Sequence, residues 1–286
     1  MSSSVSYFPP EKSLISRNIQ TKTLSITSGK GGVGKTTLLV NLAKTLSLMG
    51  HRVLILDGDF GMANVDVMFG IKPSYNLYDV IMGTKSLEDI IVQVDENIDL
   101  IPGGSGIYEL SQLDVIQRYN LLNQVNELDE HYDFFLIDTA PGIGDNVLYL
   151  NSCVQDIAVI LTPEPASMTD AYALIKVMNQ RLKLTEFKII CNLVRDEVEG
   201  MRIYQRFSEV VDQFLCINLS YAGFVPVDLN LRQSTRLQRL LFNHAPKTIS
   251  QFAIRKIAEN LSSYQETIEP QGGMKFFWEQ LLSVAS

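Results

Sequence analysis

The stretch Leu24-Ser-Ile-Thr-Ser-Gly-Lys-Gly-Gly-Val-Gly-Lys-Thr-Thr-Leu-Leu-Val-Asn41 decides the fold. Its first four residues, Leu24 to Thr27, predict a short buried strand. A glycine-rich turn follows, and from Lys35 onward the pattern is helical. Gly29, Gly34, Lys35 and Thr36 satisfy the phosphate-loop spacing of Gly, four residues, then Gly-Lys-[Ser/Thr]. That spacing has a chemical reason. Gly29, Gly31, Gly32 and Gly34 let the backbone curl until its N–H groups point inward at phosphate oxygens. The helix opening at Lys35 adds its unpaired N–H groups and the positive end of its dipole. Lys35 reaches the β- and γ-phosphates, and the Thr36 hydroxyl is placed to ligate Mg²⁺. A plain glycine turn between strand and helix needs none of these four positions filled. The stretch therefore predicts a nucleotide-binding protein.

Composition narrows the class. The chain has 286 residues, enough to bury a sizeable core in a single α/β unit. Its hydrophobic content of 46% and charged content of 20% are those of a globular protein. A net charge of −8 argues against a protein that coats nucleic acid, so no direct nucleic-acid binding is expected. Three cysteines, Cys153, Cys191 and Cys216, are far apart and form no CxxC pair. A disulfide scaffold, a zinc site and an iron–sulfur carrier all lack support, and buried thiols are expected. No apolar stretch reaches the roughly 18 residues of a membrane span. Met1 to Pro10 has neither the cationic start nor the apolar core of a secretory signal, so the expected location is the cytoplasm.

Read in order, residues 1–21 are polar, Ser-rich and broken by Pro9-Pro10, and predict a flexible arm. After the loop, residues 35–49 predict a helix closed by Gly50. Arg52 to Asp57 is an apolar strand ending in an acid, as a central parallel strand would. Asp57 and Asp59 then lie two residues apart at a strand's C-terminal end, where open parallel sheets bind ligands. They are candidates for facing Mg²⁺ and the attacking water, although a loop pair of acids is commonly just solvated. Residues 75–92 predict one or two short helices, Ile98 to Pro102 a strand, and 107–129 a helix. Tyr132 to Asp138 again ends a buried strand in an acid, a Walker B pattern in which Asp138 holds Mg²⁺ through water. The tight turn Thr139-Ala-Pro-Gly142 offers the Gly142 N–H as a γ-phosphate sensor. Asp156 to Thr162 predicts a strand, and 167–183 a helix with Ser167 or Thr169 as N-cap. Phe187 to Asn192 predicts a strand whose Asn192 is placed for a base-reading amide. Residues 197–214 predict a helix and Tyr221 to Val225 a last strand, with Pro226 and Asp228 on the ligand side of the sheet. The continuous β–α alternation predicts one domain over 22–262 with a mostly parallel sheet flanked by helices. A helix over 230–242 would carry Arg232, Arg236 and Arg239 on one face, more simply a solvated or protein-contacting face than a nucleic-acid patch.

Residues 263–273 end in Glu-Pro-Gln-Gly-Gly and read as a linker. The segment 274–286 reads as a C-terminal amphipathic helix. Met274, Phe277, Trp278, Leu281, Leu282 and Ala285 form one stripe, opposite Lys275, Glu279, Gln280 and Ser283. Such a helix can lie in a membrane interface through Phe277, Trp278, Leu281 and Leu282, or pack into a groove of its own protein. Both readings stand, one for each nucleotide state.

The motifs now on the page resemble a known family. Lys-Gly-Gly-Val-Gly-Lys-Thr-Thr at 30–37, with its extra Lys30, is similar to the deviant Walker A motif of the MinD/ParA class of ATPases. Leu-Asp-Gly-Asp-Phe-Gly-Met-Ala-Asn-Val-Asp-Val at 56–67 and Asp-Thr-Ala-Pro-Gly-Ile-Gly-Asp at 138–145 fit the same class. The stretch at 164–176 and the tail from Phe276 resemble its flagellar number regulator branch, FlhG and FleN. The resemblance spans about residues 22–286. It implies a slow, dimer-dependent ATPase that uses ATP and Mg²⁺ and closes as a homodimer around two nucleotides. It further implies that Lys30 acts in trans on the partner's phosphates and that Thr37 binds the α-phosphate. Asp57 and Asp138 would hold metal-bound waters, Asp59 would orient the hydrolytic water, and the Gly29–Thr37 loop, Val33 included, would cradle the phosphates. Asn192 would read adenine, helped by the backbone near Pro226 and Asp228. The ATP dimer would release its C-terminal helix to the inner face of the cell membrane. It would restrain a flagellar master regulator of the FleQ/FlrA type or the FlhF GTPase. The Asp-Gln-Ala-x-x-Leu-Arg motif that serves FlhF in many members is not found in residues 1–21, which favours the transcription regulator. A ParA-type partition ATPase, a nitrogenase-like iron–sulfur carrier and a nucleotide-gated scaffold that barely hydrolyses are the competing readings. The acidic balance disfavours the first and the cysteine spacing the second.

Overall fold

In the computed structural model, which describes residues 21–59, 64–104, 113–129, 131–244, 247–262 and 273–284, β1 (Lys22–Thr27) runs through the glycine loop into α1 (Lys35–Leu48). β2 (Val53–Gly58) precedes three short helices, α2 (Val65–Phe69), α3 (Leu77–Ile81) and α4 (Leu87–Ile90). A hairpin of β3 (Val92–Asp95) and β4 (Ile98–Ile101) follows, then α5 (Val115–Asp129), β5 (Phe134–Thr139) and α6 (Asp145–Ser152). The second half runs β6 (Asp156–Leu161), α7 (Pro165–Leu182), β7 (Glu186–Val194), α8 (Glu197–Phe214) and β8 (Asn218–Pro226). It closes with α9 (Leu229–Arg236), α10 (Leu241–His244), α11 (Ile249–Ser262) and α12 (Met274–Val284).

The strands form one sheet in the order β3-β4-β2-β5-β1-β6-β7-β8. Every pairing is parallel except the β3–β4 hairpin at one edge. β2 and β5 are buried at all six positions, which is why they read as unbroken apolar runs rather than alternating ones. Their side chains still alternate between two cores. Val53, Ile55, Phe134 and Leu136 join α1 and α11 on one face. Leu54, Leu56, Phe135 and Ile137 face α3, α4, α5 and α12 on the other. Under β6 and β7, that second face is covered by α6, α7 and α8. The result is the expected α/β sandwich with its C-terminal helix in place.

Several local expectations change. α7 starts at Pro165, with Glu164 rather than Ser167 or Thr169 at the cap. Proline at the first helical position loses no hydrogen bond there, and Ser167 turns inward to accept from the Thr162 N–H at 3.1 Å. The helix expected over 230–242 breaks after Arg236, so Arg239 leaves the stripe shared by Arg232 and Arg236. Cys153 and Cys191 are buried as expected, but Cys216 is exposed. The strand β3 and helices α2, α6 and α11 have no counterpart in the sequence reading. The arm at 1–20, most of the linker at 263–273 and the start of the helix expected from 107 lie outside the described residues. Among the described residues, no helix is long and apolar enough to cross a membrane.

α12 is docked. Met274, Phe277, Trp278, Leu281 and Leu282 are all buried in the core beside β2 and β5. Phe277 meets Phe135 edge to face with ring centroids 5.1 Å apart. Arg118 of α5 donates to the Leu282 carbonyl at 2.9 Å, and the Tyr149 hydroxyl of α6 donates to the Leu281 carbonyl at 3.0 Å. Those bonds satisfy carbonyls that the last turn of any helix leaves without a partner.

Candidate functional site

The glycine loop is closed on itself and backed by α7. The Ser28 hydroxyl donates to the Lys30 carbonyl at 2.7 Å and closes the turn internally. α7 backs it so closely that a Cβ on Gly29 would lie 2.2 Å from the Asp170 backbone, so no side chain fits there. Gly34 has φ of 92°, left-handed backbone that opens α1 without a side-chain cap. The N–H groups of the first turn, from Lys35 through Thr37, therefore belong to a helix end that offers them to a ligand.

The acids arrive by strand register. β2 and β5 are parallel neighbours, and Asp57 pairs with Asp138. The two carboxylates are thus brought side by side at the C-terminal edge of the sheet. Asp57 accepts from the backbone N–H of Asp59 (3.2 Å), Asn64 (3.1 Å) and Val65 (3.1 Å), so it also caps the start of α2. Thr36 donates its hydroxyl to Asp138 Oδ2 at 2.6 Å, while Asp138 Oδ1 is buried with no hydrogen-bond partner. Burial pushes Asp57 up to about 6 and Asp138 up to about 7. For Asp138 the neighbouring Asp57 adds to the rise and the Thr36 bond opposes it. Lys35 is buried, and that burial lowers its pKa against the pull of Asp138 and Asp59.

These observations fit a hard divalent cation. Two crowded carboxylates, a threonine hydroxyl and an orphaned buried oxygen form the oxygen-rich donor set that Mg²⁺ accepts directly or through water. Thr36, Asp57 and Asp138 are the residues that would hold it, and there it would neutralise phosphate charge. Asp59 follows β2 half-buried beside this cluster, within electrostatic reach of Lys35.

Other expected residues are placed with qualifications. Lys30 projects to the surface and pairs with Glu164 at 2.5 Å, a bond that raises its pKa. Nothing in the sequence signals that partner, which is 134 residues away. The Gly142 N–H, expected to sense phosphate, donates to the Ser28 carbonyl at 2.9 Å and would have to exchange that bond. Asn192 is buried against the loop, its Nδ2 donating to the Val33 carbonyl at 2.7 Å. Pro226 ends β8, and the Asp228 carboxylate accepts from the backbone N–H of Asn230 and Ser250, joining α9 to α11. Its contribution to a bound base would come from backbone. Phe277, Trp278, Leu281 and Leu282 are remote from this cluster, inside the core.

A buried polar network missed by sequence reasoning lies beneath the loop. Ser25 donates to Asn151 Oδ1 at 2.7 Å, Asn151 donates to the Val147 carbonyl at 2.6 Å, and Thr139 donates to Thr27 Oγ1 at 3.0 Å. It ties the phosphate-loop strand to β5 and α6, and isolated Ser and Thr in apolar strands and one Asn in a helix carry no long-range pattern to reveal it.

Known proteins resemble this chain along most of its length. A family model for an AAA domain matches residues 21–189. The antiactivator FleN of Pseudomonas aeruginosa is 35% identical over 259 residues, 91% of this chain and 92% of FleN. The flagellum site-determining protein YlxH of Helicobacter pylori is 33% identical, covering 95% and 93% of the two chains. Among solved structures, the septum site-determining protein MinD of Pyrococcus horikoshii, complexed with Mg-ADP, superposes with a TM-score of 0.68 at 27% identity. That match covers 85% of this chain and 96% of MinD.

Proposed function

This chain belongs to the AAA-domain family of MinD/ParA-type P-loop ATPases, and from that premise we propose that it is an ATP-gated dimer switch limiting flagellar number or placement. It uses nucleotide and Mg²⁺ and hydrolyses ATP, as its family does. The observation that carries the switch reading is the presence of two features on one molecule. Lys30 stands at the surface beside a complete phosphate loop, while the apolar stripe of α12 is docked inside the same domain.

In the switch, Lys35 neutralises phosphate charge in cis and Thr36, Asp57 and Asp138 hold the metal with its waters. Asp59 orients the attacking water, and the loop N–H groups from Gly29 to Thr37 hold the phosphates. Lys30 exchanges Glu164 for the phosphates of a second copy, which makes dimerisation depend on ATP. Closure on the γ-phosphate draws on Gly142, whose segment leads directly into α6. α6 in turn holds α12 through Tyr149. Dimer formation thereby frees Phe277, Trp278, Leu281 and Leu282 for the inner membrane surface, and hydrolysis returns the helix to its groove. FleN is named an antiactivator, which supports a master transcription regulator of the FleQ/FlrA type as the restrained partner. YlxH is named flagellum site-determining, which keeps a positioning role, with the FlhF GTPase as partner, as the second reading.

The deciding experiment is liposome co-sedimentation of the Asp59→Ala variant with ATP or ADP, beside a truncation after Gly273. The variant should hold the ATP state. Pelleting of only the full-length, ATP-loaded protein is the expected result. Equal pelleting in ADP, or no effect of truncation, removes the membrane switch.

A further inference from the structure

Asn192 does something at this site that base recognition does not require. Its amide is buried and both of its ends are engaged. Nδ2 donates to the Val33 carbonyl at 2.7 Å, and Oδ1 accepts from the Leu193 N–H at 2.9 Å. The second bond fixes which end of the amide faces the loop, because only the nitrogen can donate to a carbonyl.

Three features of the chain are arranged around this contact. β7 slips register between Asn192 and Val194, which pair with Val225 and Pro226 in turn, leaving Leu193 as an extra residue. Leu193 is left-handed at φ 58°, a conformation that strains a leucine. The bulge re-aims Asn192 without turning Val194 out of the core, and Val194 is fully buried. Across the contact, a Cβ on Gly34 would lie 2.6 Å from Asn192 Nδ2, so glycine at 34 admits the amide as well as the backbone angle.

The Val33 carbonyl and the Gly34 N–H belong to one planar trans peptide and point in opposite directions. Anchoring the carbonyl toward Asn192 therefore aims the N–H away from it. We propose that Asn192 is a positioning residue for the phosphate loop, which presets the Val33–Gly34 peptide so that the Gly34 N–H meets a polyphosphate even when no base is bound. The inference rests on the nucleotide-site reading given above and deepens it. Each end of the amide keeps one further bonding position, so base contact and loop anchoring are compatible, and strand β7 couples the two.

The test separates them by using a ligand that has phosphates and no base. Full-length wild-type and Asn192→Ala proteins are titrated calorimetrically with Mg²⁺–tripolyphosphate and with Mg²⁺–ADP. The variant is expected to bind tripolyphosphate about five- to tenfold more weakly, the effect of one buried hydrogen bond. Asn192→Asp, of the same size but with an acceptor facing the carbonyl, is expected to bind at least as weakly as the alanine variant. It also serves if the alanine variant does not fold. Unchanged tripolyphosphate affinity with a loss confined to ADP overturns the proposal, leaving Asn192 a base reader alone. Fewer sites of wild-type affinity, the signature of partial unfolding, overturns it too. So does a wild-type protein that binds Mg²⁺–ADP but not Mg²⁺–tripolyphosphate, because a preset loop needs no base. If the wild-type protein binds neither ligand, the nucleotide-site reading fails first.

Discussion

The sharpest chemistry is at Asp138. Burial pushes this carboxylate, with its one orphaned oxygen, up to about 7 and its neighbour Asp57 up to about 6, against an ordinary value of 3.8 for each. The folded state thus keeps protons that the unfolded chain has released. Stability of the ligand-free protein should therefore fall as pH rises through the window from about 4 to about 7. Asp138→Asn removes the charge while keeping the shape. In chelator, its melting temperature should vary less with pH than wild type, with a gain of about 2 kcal/mol near neutrality. With Mg²⁺ and nucleotide added, the order should reverse, since wild type alone gains the metal. A scan of melting temperature against pH, with and without Mg²⁺–ADP, checks both. Lys30 is the contrasting case. Its pair with Glu164 is largely exposed, so Lys30→Ala should leave the melting temperature nearly unchanged while removing ATP-dependent dimerisation in light scattering. Asp138 is legible in the sequence because the strand-end pattern is local, and Lys30 is legible through the resemblance of its loop. Glu164, Ser28 and the Ser25–Asn151–Thr139 network were not, because their partners are distant in sequence and join only when strands align.

Among the elements, α12 is the one whose place is least determined by its own sequence. An apolar stripe specifies burial but not the surface against which it buries, and here it is met by β1, β5, α5 and α6. Trp278 is fully buried next to Phe277, so Trp278→Ala should destabilise the nucleotide-free protein by about 3 kcal/mol in chemical denaturation. A helix held only loosely would show a small fraction of that. The polar latch permits a gentler test. Tyr149→Phe removes one hydroxyl bond to the Leu281 carbonyl and almost no apolar area. That loss, about 1 kcal/mol, should shift the docked helix toward release roughly fivefold. Nucleotide-free Tyr149→Phe should then pellet more with liposomes than wild type, and a variant that pellets no more places the latch elsewhere. The helix boundaries that sequence misjudged have physical causes of the same kind. α7 begins early because proline is free at a first helical turn, and the arginine stripe breaks where the chain leaves α9 at Leu237. α11 was missed although its apolar face packs fully against β8 and α1, because its polar flanks read like the linker that follows.

At the scale of the whole molecule, a phosphate loop that opens at the sheet's edge leaves one question, namely whose lysine completes it. Lys30 rests on its own chain's Glu164, a contact it can exchange only for a stronger anion. The trans reading makes a prediction that a cis lysine cannot. Lys30→Ala lacks the lysine it would lend, and Asp59→Ala lacks the acid that would orient water in its own site. Each variant alone should be inactive. In the mixed dimer, the site of the Lys30→Ala protomer keeps its own Asp59 and receives Lys30 from the other protomer, so one of its two sites is complete. Equal mixing should recover turnover in proportion to the mixed dimers formed, up to about a quarter of wild type, the limit reached when half of all dimers are mixed and each has one working site. If Lys30 served its own loop, one site of the mixed dimer would lack the lysine and the other the acid, and mixing would restore nothing. The recovery should also fall on dilution, because activity then requires two chains to meet. Steady-state phosphate release from the two variants, alone and mixed at several concentrations, separates the two arrangements.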